Sequence, residues 1–481
     1  MKLKTLAAAA LLVPVSVLAA GSAAADPSTL TWTPCAIQGT DPTVECASVE
    51  VPIDRANPAL GTVKIALNRL PAKDKAHRVG SLLTNPGGPG GSGTASIAYA
   101  DIGFSTPEFA EIRQRYDVIG FDPRGIWKST PAIRCDRPYD PAVNRFPADR
   151  AGFDRLAAFN RAAGERCLAK TGPLLANADT ASVVEDVDAI RAALGEETIS
   201  WFGLSYGTEI GAMYAAKYPQ RVRAMVLDGA MDHSRSSRRA IVDEAAAVED
   251  AWHQFATWCA TAPECALRGQ NVLAYYDALM ADGERGKVSS KHLGRPATAD
   301  ELASGAYNNL VLSRAWPALS KALVDARADA SALTTASQFT RADYPAYIGI
   351  GCHDLPSPFT GPRDLKAARD EVKRVAPHSW RYSEFWTITT ACTGWPVPPK
   401  NPPHPEHISG TVPILVVGGE HDPATPLVWA KGLASRIDNG ALLTYAAPGH
   451  SGTYNSGCAR GAIAKYLVSG VTPAKGAICP A

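Results

Sequence analysis

Thr198-Ile199-Ser200-Trp201-Phe202-Gly203-Leu204-Ser205-Tyr206-Gly207 is an apolar run that enters a tight turn, and Ile210, Met213 and Tyr214 follow at helical spacing. The turn matches G-x-S-x-G, the nucleophile elbow, in which a serine sits on a sharp strand-to-helix corner. Glycine is needed at 203 and 207 because a side chain at either position would collide with the neighbouring strand or helix. The corner lifts the serine hydroxyl above the sheet at a helix N-terminus, which favours developing negative charge. Ser205 is therefore the candidate nucleophile. An inert serine in a tight connection has the same local pattern, so the partners must come from elsewhere in the chain.

The same rhythm extends in both directions. Ser81 to Thr84 runs into a glycine cluster, Tyr116 to Phe121 into Asp122-Pro123-Arg124-Gly125, and Ala224 to Leu227 into Asp228-Gly229. Pro413 to Val417 leads into Gly418-Gly419, and Ala441 to Tyr445 leads toward Gly449. Continuous apolar runs of this length suit strands buried on both faces. Between them, Val183, Val184, Val187, Ile190 and Leu194 follow helical spacing. Ser182 and Glu185 read as a capping box, and Gly195 reads as a stop. The alternation predicts an α/β fold with a mostly parallel sheet covered on both sides. Ahead of it, Ala47–Ile53 and Thr62–Leu70 alternate as an antiparallel pair, with Asn57-Pro58 in the turn.

The rhythm stops near His233. From there to about residue 404 the chain is rich in Ala, Leu, Arg and Asp, and Trp252, Phe255, Trp258 and Cys259 share one helical face. Pro396, Pro398, Pro399, Pro402, Pro403 and Pro405 form a stiff linker. The expected organisation is a first sheet segment at 26–232, a helical cap insertion at 233–404 and a second sheet segment at 405–481.

Composition narrows the setting. Hydrophobic residues make up 46% of the 481, and the formal net charge is +1, which argues against a nucleic-acid binder. Lys2 and Lys4 precede an apolar run from Leu6 to Ala20, and Ala23-Ala24-Ala25 offers a cleavage site before Asp26. Residues 1–25 read as a secretory signal peptide. No later run is long enough to predict stable membrane insertion. Ten cysteines fit an oxidising destination. Nearest-neighbour pairing gives Cys35–Cys46, Cys135–Cys167, Cys259–Cys265, Cys352–Cys392 and Cys458–Cys479. No CxxC spacing is present, so no metal site is expected.

A serine needs a base, and the base needs an orienting acid. His450 lies in Ala447-Pro448-Gly449-His450-Ser451-Gly452, just past the last apolar run. Asp422 lies in Gly418-Gly419-Glu420-His421-Asp422-Pro423, past the run before it. The order Ser, Asp, His is the one expected of α/β-hydrolases. His77, His233 and His421 read as surface or capping residues. Asn85-Pro86-Gly87-Gly88-Pro89-Gly90-Gly91-Ser92-Gly93 follows another strand. It has no G-K-[ST] ending and lacks the G-x-G-x-x-G spacing, so a phosphate loop is rejected. Its glycines suit backbone donors aimed at an oxyanion. Gly88 is one expected donor, since Pro89 cannot donate. The N–H of Tyr206, next to the nucleophile, is the other. Asp122 and Arg124 read as a structural pair beneath the site.

With these segments in place, the sequence resembles the secreted bacterial tripeptidyl aminopeptidases, an α/β-hydrolase branch related to proline iminopeptidases. The matching stretches are Asn85–Gly93, Phe121–Gly125, Gly203–Gly211, Gly418–Pro426 and Pro448–Gly452. The resemblance implies a helical cap between the sixth and seventh strands of the fold. It also implies cofactor-free cleavage of peptide substrates near a free N-terminus. Because the branch includes esterase-active members, an exported carboxylesterase or lipase is the alternative. A catalytically silent binding protein on the same fold is a third reading, disfavoured by the complete triad order. An exopeptidase must hold a substrate ammonium, and a partly dry pocket does so with a carboxylate. Glu209, one turn beyond Ser205, and Asp354, beside Cys352, are the candidate anchors.

Overall fold

The computed structural model describes residues 30–35, 41–99, 103–136 and 138–481. The expected signal segment, 1–25, lies outside them. The strands are β1 (Thr33–Pro34), β2 (Glu45–Pro52), β3 (Thr62–Leu70), β4 (Gly80–Asn85), β5 (Tyr116–Phe121), β6 (Ile199–Leu204), β7 (Val222–Asp228), β8 (Ser289–Ser290), β9 (Arg295–Pro296), β10 (Ile414–Gly419), β11 (Gly440–Tyr445) and β12 (Ile478–Cys479). Ten of them form one sheet in the order β1-β2-β3-β5-β4-β6-β7-β10-β11-β12. The β1/β2, β2/β3 and β3/β5 pairs are antiparallel, and every later pair is parallel.

Strands β4, β5, β6 and β10 are buried at every position, as their unbroken apolar runs require. The helix Tyr206–Lys217 sits close on β6 because Gly207 and Gly211 present no side chains there. A Cβ on Gly211 would press on the Trp201 indole, and one on Gly207 would meet the Asn85 carbonyl of β4. The helix at Thr180–Ala193 is capped by Asp179, whose side chain accepts from Ser182 N. This corrects the expected Ser182–Glu185 capping box. Ser182 is already inside the first turn, and Glu185 instead receives a hydrogen bond from Tyr218 Oη at 2.9 Å.

Between β7 and β10 the chain is helical from Ser237–Thr261 through Glu384–Ala391, interrupted by the short hairpin β8–β9. The hairpin breaks the expected all-helical character, but its strands are too short to set a period. One hydrophobic core runs from Leu83 and Trp201 in the sheet layer through Trp252 and Trp386 in the insertion. Phe385 stacks on Trp429 with ring centroids 4.9 Å apart, joining the insertion to the sheet segment that follows it. All ten cysteines pair as nearest neighbours. Among the described residues, no helix is long and apolar enough to cross a membrane.

Candidate active site

Ser205 follows β6 directly and has φ 54° and ψ −126°. A non-glycine residue with positive φ is strained and persists only where its surroundings hold it. Here its N–H donates to Asp228 O at 2.9 Å, and its carbonyl accepts from Thr208 N at 2.8 Å. The reason for Gly203 is now concrete, since a Cβ there would strike the Gly207 carbonyl.

His450 and Asp422 meet across two loops that leave β10 and β11. His450 Nδ1 lies 2.9 Å from both carboxylate oxygens of Asp422. Asp422 also accepts from the N–H groups of Ala424 (2.9 Å), Thr425 (2.9 Å) and Ser451 (3.1 Å), and from Tyr445 Oη at 3.1 Å. Burial alone would raise the Asp422 pKa, but His450 and these donors outweigh it and hold the carboxyl below its ordinary value. Burial would likewise lower His450, but the Asp422 charge and hydrogen bond win and raise it. Gly229 makes room for the ring, because a Cβ there would lie 2.9 Å from His450 Cε1 and 2.8 Å from Ser451 Oγ.

Asp228 joins the two halves of this arrangement, and nothing in its local sequence announces it. Its carbonyl holds Ser205 N. Its carboxylate accepts from Gly452 N and Thr453 N, both at 2.8 Å, and so fixes the loop that carries His450. The insertion touches the same loop: His450 N donates to Val311 O at 2.7 Å. His421, expected to be a bystander, pairs with Asp250 at 2.7 Å.

The glycine loop lies against the serine. A Cβ on Gly87 would be 2.8 Å from Ser205 Cβ and 3.0 Å from Tyr206 N. Gly87 N is taken by Asn85 Oδ1 at 2.9 Å. The N–H groups of Gly88 and Tyr206 donate to nothing else among the described residues. The far end of the loop is pinned by Asp122, which accepts from Ser92 Oγ at 2.6 Å and Thr94 N at 3.1 Å. Arg124 does not pair with Asp122. It is fully buried and binds Asp186 through two 2.7 Å contacts.

Glu209 and Asp354 lie side by side behind the elbow, at 2% and 1% exposure. Asn401 Nδ2 bridges them, 2.7 Å from Asp354 Oδ1 and 3.3 Å from Glu209 Oε1. Tyr206 Oη and Thr180 Oγ1 donate to Asp354 Oδ2 at 2.8 and 2.9 Å, and the two hydroxyls also touch each other. Burial raises Glu209 well above its ordinary value. Burial also raises Asp354, to about 6, against the hydrogen bonds from Asn401, Tyr206 and Thr180. Both acids are thus internal: Asp354 is bonded through both oxygens, whereas Glu209 has Asn401 and His233 (3.1 Å) at Oε1 and no partner at Oε2 among the described residues.

Another acid, Glu384, only partly buried at the start of its helix, lies close enough for its charge and that of His450 to influence each other. Burial raises its pKa, and His450 is the strongest opposing influence. Tyr307 Oη donates to Glu384 Oε1 at 3.1 Å. Tyr347, whose pKa also feels the Glu384 charge, has a buried hydroxyl with no hydrogen-bond partner among the described residues. Sequence reading passed over Glu384 because one acid opening a helix is ordinary. Among the described residues, no group of three or more His, Cys, Asp or Glu is arranged to hold a metal.

Comparison with known proteins places the chain among serine hydrolases. The family model described as TAP-like protein matches residues 378–479. The chain is 33% identical over 486 aligned residues to serine protease Hip1 of Mycobacterium tuberculosis, covering 93% of this chain and 90% of that one. It is 29% identical to tripeptidyl aminopeptidase of Streptomyces lividans, covering 93% and 86%. It is also 33% identical to carboxylesterase B of Mycobacterium tuberculosis, covering 90% and 85%.

Proposed function

The chain belongs to the TAP-like family of serine hydrolases with the α/β-hydrolase fold, and on that premise we propose that it is a secreted exopeptidase releasing tripeptides from free peptide N-termini. Ser205 Oγ attacks the scissile carbonyl and His450 takes its proton. Asp422 holds the ring and stabilises its charged form. The oxyanion is met by the N–H groups of Gly88 and Tyr206. His450 then protonates the departing amine, and water, deprotonated by His450, releases the peptide from Ser205. The observation that carries this reading is the strained Ser205 held by Asp228, whose carboxylate also fixes the loop of the Asp422–His450 pair.

Export is supported by the five disulfides, which persist in oxidising compartments. Tripeptide release needs an ammonium anchor roughly 10 Å from the nucleophile along an extended chain. In this reading Glu384 is that anchor, with the tyrosines around it forming a cation-tolerant wall. Glu209 and Asp354 are set aside for this role because both are buried behind the elbow, 2% and 1% exposed. The test is a peptide-library digest with free or acetylated N-termini. Tripeptides should appear only from the free set; equal cutting of both sets refutes the exopeptidase reading.

The similarity to a protein named carboxylesterase B gives the second reading, an exported esterase. Rates on a free-amine tripeptide anilide and on a short acyl ester separate the two.

A further inference from the structure

The pair Glu209 and Asp354 has no part in the steps above, yet Asp354 is bonded to the residue that carries an oxyanion donor. We infer that Asp354 is a positioning residue for the oxyanion hole, acting on Tyr206 through its phenol. This rests on the reading of Ser205 as nucleophile.

Tyr206 has two ends with different duties. Its N–H, at the first position of the helix Tyr206–Lys217, lies beside Gly87 and Ser205. Its ring runs inward, is buried, and ends in a hydroxyl 2.8 Å from Asp354 Oδ2. Asp354 belongs to another part of the chain, at the end of the helix Tyr344–Asp354 in the insertion. It is fixed there from several sides. Cys352, two residues earlier, is bridged to Cys392. His353 Nε2 lies 2.7 Å from Leu175 O, and His353 O accepts from Asn401 N at 3.2 Å. Asp354 Oδ1 accepts from Asn401 Nδ2 at 2.7 Å and from Thr180 N at 3.3 Å. The carboxylate is therefore a rigid post, and Tyr206 is tethered to it at the ring's far end. A donor that must meet an oxyanion at hydrogen-bond distance gains from such pre-organisation, because a small misplacement costs rate.

The two oxygens of Asp354 are not equivalent, and this makes the test selective. Oδ1 meets two N–H groups, whereas Oδ2 meets two hydroxyls. In Asp354→Asn the amide oxygen must stay at the Oδ1 position, so the NH2 group faces Tyr206 Oη. The substitution replaces the anionic acceptor shared by Tyr206 Oη and Thr180 Oγ1 with a neutral NH2, to which either hydroxyl can turn as acceptor, and keeps the bonds at Oδ1. Full loss of the tether, in Tyr206→Phe, should lower kcat by about 10- to 100-fold, less than or near the loss of a whole oxyanion donor, and Asp354→Asn should lower it by the same or less. KM should stay within about twofold, since no substrate contact is removed. The fall should be the same for a short acyl ester and for a free-amine tripeptide anilide.

The experiment measures both substrates with full-length secreted enzyme, on sites counted by endpoint fluorophosphonate labelling, for Asp354→Asn, Tyr206→Phe and the double variant. The expected result is a kcat loss in Tyr206→Phe at least as large as in Asp354→Asn and no further loss in the double, because Asp354 acts only through the phenol. Multiplying losses in the double variant overturn the inference. So does a KM increase confined to the free-amine substrate, which would make Asp354 the ammonium anchor. If Asp354→Asn does not fold, Tyr206→Phe decides alone, and wild-type kcat there overturns it. Because the ester needs only the acyl-transfer chemistry, failure of the exopeptidase reading leaves this test intact. Absence of labelling in the wild type would mark failure of the nucleophile assignment instead.

Discussion

Replacing Asp422 by Asn tests the site through its hydrogen bonds. Oδ1 accepts from two backbone N–H groups, Ala424 and Thr425, which cannot reverse. Oδ2 accepts from Thr425 Oγ1, Tyr445 Oη and Ser451 N, of which the two hydroxyls can turn. Tyr445 has Gly449 O at 3.0 Å as a ready alternative acceptor. The Asn amide should therefore place its NH2 at the Oδ2 position, leaving one N–H, that of Ser451, against it. One buried unsatisfied donor costs about 1–3 kcal/mol, so the protein should stay folded. The effect on His450 is larger. Its Nδ1 now faces an N–H, which favours the tautomer with the proton on Nε2, and that tautomer cannot accept the Ser205 proton. In the serine-protease template, the same change costs about 10⁴ in kcat. The Asp422 charge is also what raises the His450 pKa against burial, so in the variant that pKa falls. The residual activity should begin at lower pH than that of the wild type, whose acid limb the Asp422 charge should hold above the ordinary histidine value. The assay is a pH series of kcat for ester hydrolysis on fluorophosphonate-counted sites. More than a tenth of wild-type kcat, or an unmoved acid limb, would refute the assignment of Asp422.

Ser205→Ala should abolish turnover and fluorophosphonate labelling while circular dichroism and Tm stay near wild type, since relief of the strained φ is not achieved by alanine and no packing is lost. Gly87→Ala should cut kcat at least tenfold: its Cβ would sit 2.8 Å from Ser205 Cβ and beside the Tyr206 donor, and its φ of 96° disfavours alanine. A variant with normal kcat would separate the loop from the chemistry. Glu384→Gln should raise KM for free-amine tripeptide substrates by about tenfold or more and spare short acyl esters, as expected for loss of a charge-assisted contact; equal effects on both substrates would remove Glu384 as the anchor.

The strands were legible because they depend on short-range patterns, and the proposed triad was placed by the same signal. Unbroken apolar runs mark strands buried on both faces, and in this fold the chemistry sits where such runs end. Ser205, Asp422 and His450 each follow one. The cap at Asp179 was missed by three residues, although its chemistry was in view, because Ser182 and Glu185 also fit a capping pattern. What settles the choice is backbone conformation: Asp179 is extended, with ψ 160°, while Ser182 is already helical. Beyond the β2/β3 pair, sheet order was not readable, since β4 lies between β5 and β6 through crossovers that no local run encodes. Asp228 and Glu384 escaped for a related reason. The bonds of Asp228 reach residues more than 220 positions away, and those of Glu384 reach across the insertion.

Asn401 shows how far such tertiary contacts extend. In sequence it is one polar residue in a proline-rich stretch that reads as a spacer. In the structure its amide joins Glu209, on the nucleophile helix, to Asp354, on the insertion. His450 N on Val311 O and His421 on Asp250 are further ties of the same kind. Each ties a loop or helix that carries chemistry to the helical insertion. A lid that only selected substrates would need contacts at its rim. These contacts instead reach Tyr206 through Asp354, His450 itself, and His421 beside Asp422. Shared core packing from Trp201 to Trp386 makes the two layers one mechanical body. On the proposed roles of Ser205, Asp422 and His450, a change in the insertion should therefore move rate and specificity together.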